Sequence, residues 1–229
     1  MSGPYPSYSY SYTIGRPPER VHRTSTSRTE ILHLSIAYAV LTFDLVLLFG
    51  GLTFYAHPVL QLVAIAALAA LTGFVSHEMA HKISAQRGGY WAEFRLSPIG
   101  LLVSVLTAAA GFLFAAPGAT MIGGMANLRD WGRTSLAGPA TNFVYALIFL
   151  TGAFASARVP GWTYLSTIFL FLAYINGLFS AFNMIPFGPL DGAKVLRWSG
   201  PVWVVCFVTF GALAAVLYYF LYVLGLPAL

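Results

Sequence analysis

The chain has 229 residues, of which 58% are hydrophobic and 8% charged, against roughly 25% charged in a soluble domain. With a mean hydropathy of +0.75, this excludes an ordinary soluble domain and fits a polytopic membrane protein. The net charge of +5 reads as membrane orientation, because basic residues collect on the cytoplasmic side; no nucleic-acid partner is expected.

The single cysteine, Cys206, excludes an intrachain disulfide and a cysteine-built metal cluster. Residues 1–29 combine a Ser/Tyr/Pro-rich stretch with Arg16, Arg20, Arg23 and Arg28. They show no helical or strand period and are expected to form a disordered basic cytoplasmic tail with no cleavable signal. Residues 30–229 are expected to be one membrane-embedded domain with its core at 58–200. The first span runs from Ile31 to about Tyr55 and contains Asp44. An acid at that depth costs about 3 kcal/mol unless paired or wet, so Asp44 is read as facing a polar pocket in the bundle.

The second span, Pro58 to about Ile83, carries His77-Glu78-Met79-Ala80-His81. Histidines four residues apart share one helical face, so both imidazoles can reach one metal ion. Glu78 lies beside them, where a carboxylate takes a proton from an activated water. Lys82 and Arg87 follow and put this end near the cytoplasmic face.

Residues 93–96 alternate polar and apolar, and 119–122 are short and apolar; both are weak strand signals. Between them, 97–117 is long enough to span by length alone. It is interrupted by Pro98, Gly100, Gly111 and Pro117. Residues 128–133, with Arg129, Asp130 and Arg133, read as a polar loop. Further spans follow at about 134–157, 162–185 and 201–225.

A catalytic zinc usually takes three protein ligands and keeps one open position. Asp191 is the best-placed third ligand, between helix-breaking residues after an apolar span. Asp44 is next. Glu19 and Glu30 lie in or beside the tail, and Glu93 and Asp130 have arginines nearby, so a solvated ion pair explains them at lower cost.

If Asp191 meets His77 and His81, an even number of crossings must separate them. The spans at 134–157 and 162–185 supply two, so 97–117 must enter and return or lie at the interface. Charge agrees. With that segment not crossing, eleven of the twelve Lys and Arg residues fall inside and only Arg158 outside; with one crossing the count drops to eight. The expected architecture is an all-α polytopic membrane protein. It has about five transmembrane helices, a re-entrant or interfacial segment with short β-strands, and an inside N-terminus.

His77-Glu78-x-x-His81 in one span, Gly138-Pro139-x-x-Asn142 in a later one and Asn183-x-x-Pro186-x-x-Pro189-Leu190-Asp191-Gly192 after the next resemble the site-2 protease family of intramembrane zinc metalloproteases. The resemblance implies one Zn2+ per chain, held by His77, His81 and Asp191, with Glu78 as the catalytic acid/base. It implies that Asn142 and Asn183 sit near the metal and hold substrate backbone, and that the substrates are transmembrane proteins cut within or near their spans in regulated intramembrane proteolysis. A location in the cell membrane of a prokaryote, with the site toward the cytoplasm, is expected. The competing reading of the same residues is a membrane metal-ion transporter or sensor.

Overall fold

The computed structural model describes residues 25–53, 59–114, 117–124 and 127–223. Most of the expected tail, and the chain after Val223, lie outside them. Among the described residues, five helical segments are long and apolar enough to cross a membrane: Arg28–Phe49, Val59–Arg87, Leu128–Ala157, Thr163–Asn183 and Gly200–Val223. The protein is an all-α polytopic membrane protein carrying one two-stranded sheet.

Helix α1 (Arg28–Thr53) begins inside the segment expected as tail. Ser27 explains the start: its Oγ accepts from the Glu30 amide at 3.1 Å, as an N-cap does. The second span is helix α2 (Val59–Ala70), a π-helical turn (Leu71–Val75) and helix α3 (Ser76–Arg87). Gly89, at φ +82°, then turns the chain into strand β1 (Trp91–Leu96).

Helix α4 (Pro98–Ala109) is opened by Ser97, whose side chain accepts from Gly100, with Pro98 in the first turn. Its twelve residues rise about 18 Å, short of the ~30 Å hydrocarbon layer. Strand β2 (Gly118–Gly123) then pairs antiparallel with β1, from Trp91↔Gly123 to Leu96↔Gly118. Because Leu96 and Gly118 are partners, the chain leaves and re-enters the sheet at one place. Segment 97–117 is therefore an excursion that returns, and both strand signals are real.

Helix α5 (Leu128–Ala157) starts earlier than expected. The residues read as a polar loop, 128–133, are its first turns. Asn127 caps the helix by accepting from the Asp130 amide at 2.8 Å, and an acid in the first turn suits the helix dipole. After the turn at Gly161, α6 (Thr163–Asn183) packs back along α5. The buried small residues Ala146, Ala153 and Ala173 let the two approach closely. Helix α7 (Asp191–Trp198) is short, and α8 (Gly200–Tyr218) is capped by Ser199.

The acids outside the expected ligand set divide sharply. Glu93 pairs with Arg95, and Asp130 accepts from the Tyr90 hydroxyl. Glu30, expected beside a solvated tail, is instead fully buried. It meets Lys82 at 2.5 Å and accepts from the Phe94 amide at 3.0 Å, joining α1, α3 and β1. Asp44 is also buried. Ser104 of α4 is its polar neighbour, but among the described residues no hydrogen bond of ordinary geometry reaches either carboxylate oxygen.

Removing one partner of a buried ion pair strands the other charge, at about 3–5 kcal/mol, whereas replacing both with apolar groups is often neutral. Glu30→Ala should therefore lower the thermal unfolding temperature in detergent markedly. The double variant Glu30→Leu/Lys82→Met should recover part of the loss, the remainder being the Phe94 amide left without its acceptor.

Candidate metal centre

The π turn prepares the site. Its extra residue closes a Ser76 N–H to Leu71 O bond, and the Gly73 carbonyl within the turn faces α5. Such bulges recur at functional sites because they re-aim the side chains that follow. Asn142 donates to that carbonyl from Nδ2 at 2.8 Å. Its Oδ1 is then left toward His77 Nδ1, 2.7 Å away. His81 Nδ1 lies 2.7 Å from the Thr134 carbonyl.

These partners fix both tautomers. Asn142 Oδ1 and the Thr134 carbonyl can only accept, so each Nδ1 must donate, and each Nε2 carries a bare lone pair. The two Nε2 atoms stand 3.0 Å apart. Asp191 Oδ2 lies 3.3 Å from His77 Nε2 and 3.0 Å from His81 Nε2. All three ligand atoms fall within 4.8 Å of one another, and all three residues are buried. Three acceptors converging with no donor between them repel unless a cation joins them. This is how a metal site is arranged, with the outer ring nitrogens tied to oriented acceptors.

Asp191 reaches the site as the first residue of α7, where the helix dipole favours a negative charge. Gly192 allows the approach, because a Cβ there would run into the Met184 carbonyl. Lys194 donates to Asp191 Oδ1 at 3.1 Å.

Glu78 lies on α3, between His77 and His81. Its Oε2 accepts from the Thr120 amide at 2.9 Å and the Thr120 hydroxyl at 2.8 Å. Asn183 donates to Phe179 O in its own helix at 3.0 Å. Asp44, the next candidate ligand, is not among the residues that converge.

Two contributors carry no signal of their own in the sequence, and a third, Gly138, belongs to a motif whose contact with the ligands the sequence does not show. Thr120 orients Glu78 through a strand pairing. Asn176 donates to Thr72 Oγ1 at 3.0 Å and lies 3.5 Å from Asn142 Nδ2, extending the buried network. Gly138 sits one turn before Asn142, directly against the ligands. Its motif with Asn142, at a four-residue spacing that puts both on one helical face, is the hint to its place.

A zinc metalloprotease-named protein of Methanocaldococcus jannaschii, "Putative zinc metalloprotease MJ0611", is 31% identical over 190 residues, 78% of this chain and 89% of its own. The chain belongs to the site-2 protease-like family. "Putative zinc metalloprotease Rip3" of Mycobacterium tuberculosis is 31% identical over 128 residues, 56% of this chain and 28% of its own, so the shared part is little more than a quarter of that relative. No family model and no solved structure matches significantly. The family relationship supports a metalloprotease, and the His77–His81–Asp191 group could hold a metal ion.

A Cβ on residue 138 would lie 2.5 Å from His81 Nε2 and 2.6 Å from His77 Nε2. Gly138→Ala should therefore lose metal, although alanine is the better helix former by about 1 kcal/mol. Asn142→Ala should weaken metal binding about 10- to 100-fold by freeing the His77 ring. Metal analysis of the purified variants, with circular dichroism to verify the helices, checks both.

Proposed function

We propose that this metalloprotease is an intramembrane zinc endopeptidase that hydrolyses peptide bonds within or near the spans of membrane-protein substrates, from a site open toward the cytoplasm. One observation carries the reading: Glu78 stands beside a two-imidazole, one-carboxylate ligand set at the end of a membrane-spanning helix. That donor set suits zinc among the divalent metals. When bound, zinc supplies a Lewis acid that polarises the scissile carbonyl and acidifies a water.

The protein's own groups do the rest. Glu78 accepts the proton of the attacking water and returns it to the leaving amine. Asn142, through His77, and Thr134, through His81, keep the ligand nitrogens aimed inward. A substrate helix satisfies its carbonyls internally and must unwind before it can be cut, and unwound backbone within lipid needs new partners. The β1–β2 sheet beside Glu78 offers them by strand addition. Asn183, partly exposed near the end of α6, belongs to the same proposal as a contact for substrate backbone. Asn142 reaches substrate only by releasing His77 or Gly73.

Glu78→Gln should retain its metal yet abolish cleavage of a co-expressed single-span membrane protein, followed on immunoblots. Cleavage at the wild-type rate would remove Glu78 from this role. Single cysteines at the exposed positions 87, 129 and 158 test the orientation. Those at Arg87 and Arg129 should be labelled from the cytoplasmic side and that at Arg158 from the opposite side.

A further inference from the structure

The β1–β2 register fixes where the backbone groups point. Phe94 and Thr120 are partners, yet Phe94 donates its amide to Glu30 and Thr120 donates its amide to Glu78. Each amide faces away from the other strand, so this is a non-hydrogen-bonded pair of the antiparallel ladder. By the two-residue alternation, Gly118 and Ile122 also turn their backbone groups to the outer edge of β2. That edge runs along α3 at Glu78. It is where an added strand would lie, and its central donor is already occupied by the catalytic carboxylate.

We propose that the Thr120 N–H is a docking point for a backbone carbonyl of an extended substrate segment, and that Glu78 caps it in the resting enzyme. This rests on the peptidase reading above. One N–H cannot serve two acceptors fully, so substrate and Glu78 compete for it. A helical carbonyl is already engaged and cannot displace the carboxylate. An unwound one can. Thr120 thereby selects for extended backbone, and the displacement that admits substrate also releases the Glu78 Oε2 atom. The hydroxyl can follow the change, since Thr120 Oγ1 lies within reach of both Glu78 Oε2 at 2.8 Å and the Glu78 carbonyl at 3.1 Å.

The test compares two inactive, metal-loaded variants in detergent. Glutamine at 78 keeps a carbonyl that can cap Thr120, whereas alanine leaves the N–H bare. The probe is a labelled single-span peptide with an Asn-Gly break at its centre. Glu78→Ala should bind it about 2- to 10-fold more tightly than Glu78→Gln, the range of one net hydrogen bond. Adding Thr120→Pro to Glu78→Ala should abolish the gain. Proline fits there because the lost N–H belongs to the outer edge, not to the ladder.

Equal binding by the two Glu78 variants, or a gain that survives proline, overturns the proposal. Hydrogen exchange at the Thr120 amide gives a second reading that does not depend on the proline variant. It should be slow in Glu78→Gln, fast in Glu78→Ala and slow again with peptide, and equal rates would overturn the proposal. If the wild type cleaves single-span proteins while the variants bind alike, only the cap fails. If the wild type cleaves nothing and no variant binds, the peptidase reading fails with it.

Discussion

The structure depends on two imidazole nitrogens and a carboxylate oxygen being held face to face, each presenting a lone pair. Left alone, such a trio would separate. The surrounding architecture opposes that separation. Asn142 and the Thr134 carbonyl lock the outer ring nitrogens. Helix α7 delivers Asp191 from the end of the α5–α6 pair where α5 begins and α6 finishes. Gly138 brings the α5 backbone so close that no side chain fits between helix and ligands. Even membrane topology follows from this trio, because α5 and α6 must run out and back to return the chain to the depth of His77 and His81.

Much of this was legible in the sequence because chemistry imposes spacing. Histidines at i and i+4 need only one helix to meet, so His77 and His81 were evident. Asp191 followed from the need for a third ligand and the family resemblance, and the returning path of 97–117 from the parity of crossings and the basic residues. What remained hidden depends on distant pairing. Glu30 reads as part of a polar tail, and nothing near it in sequence announces Lys82, 52 residues away. Thr120 is an ordinary strand residue until the register turns its amide toward Glu78. The π turn at Leu71–Val75 leaves no residue signature, since it is a matter of one extra residue per loop of backbone. The start of α5 is hidden in the sequence because a cap and a charged first turn resemble a loop in composition.

A two-stranded sheet in a membrane domain has two raw edges, and exposed edges are not tolerated in lipid. Here each edge is met by a buried carboxylate. Glu30 takes the Phe94 amide on the β1 side, where Lys82 neutralises it. Glu78 takes the Thr120 amide on the β2 side. The two solutions look alike but differ in permanence. The first is fixed by an ion pair that joins three elements. The second uses a side chain that the proposed chemistry also requires.

The order of the ligands along the chain also bears on how the enzyme is made. His77 and His81 are synthesised early, and Asp191 follows only after α5 and α6 have been inserted. Until then the nascent protein has two imidazoles and no carboxylate to complete them. On the proposed function, the complete three-residue metal site can therefore form only once α5 and α6 are in place.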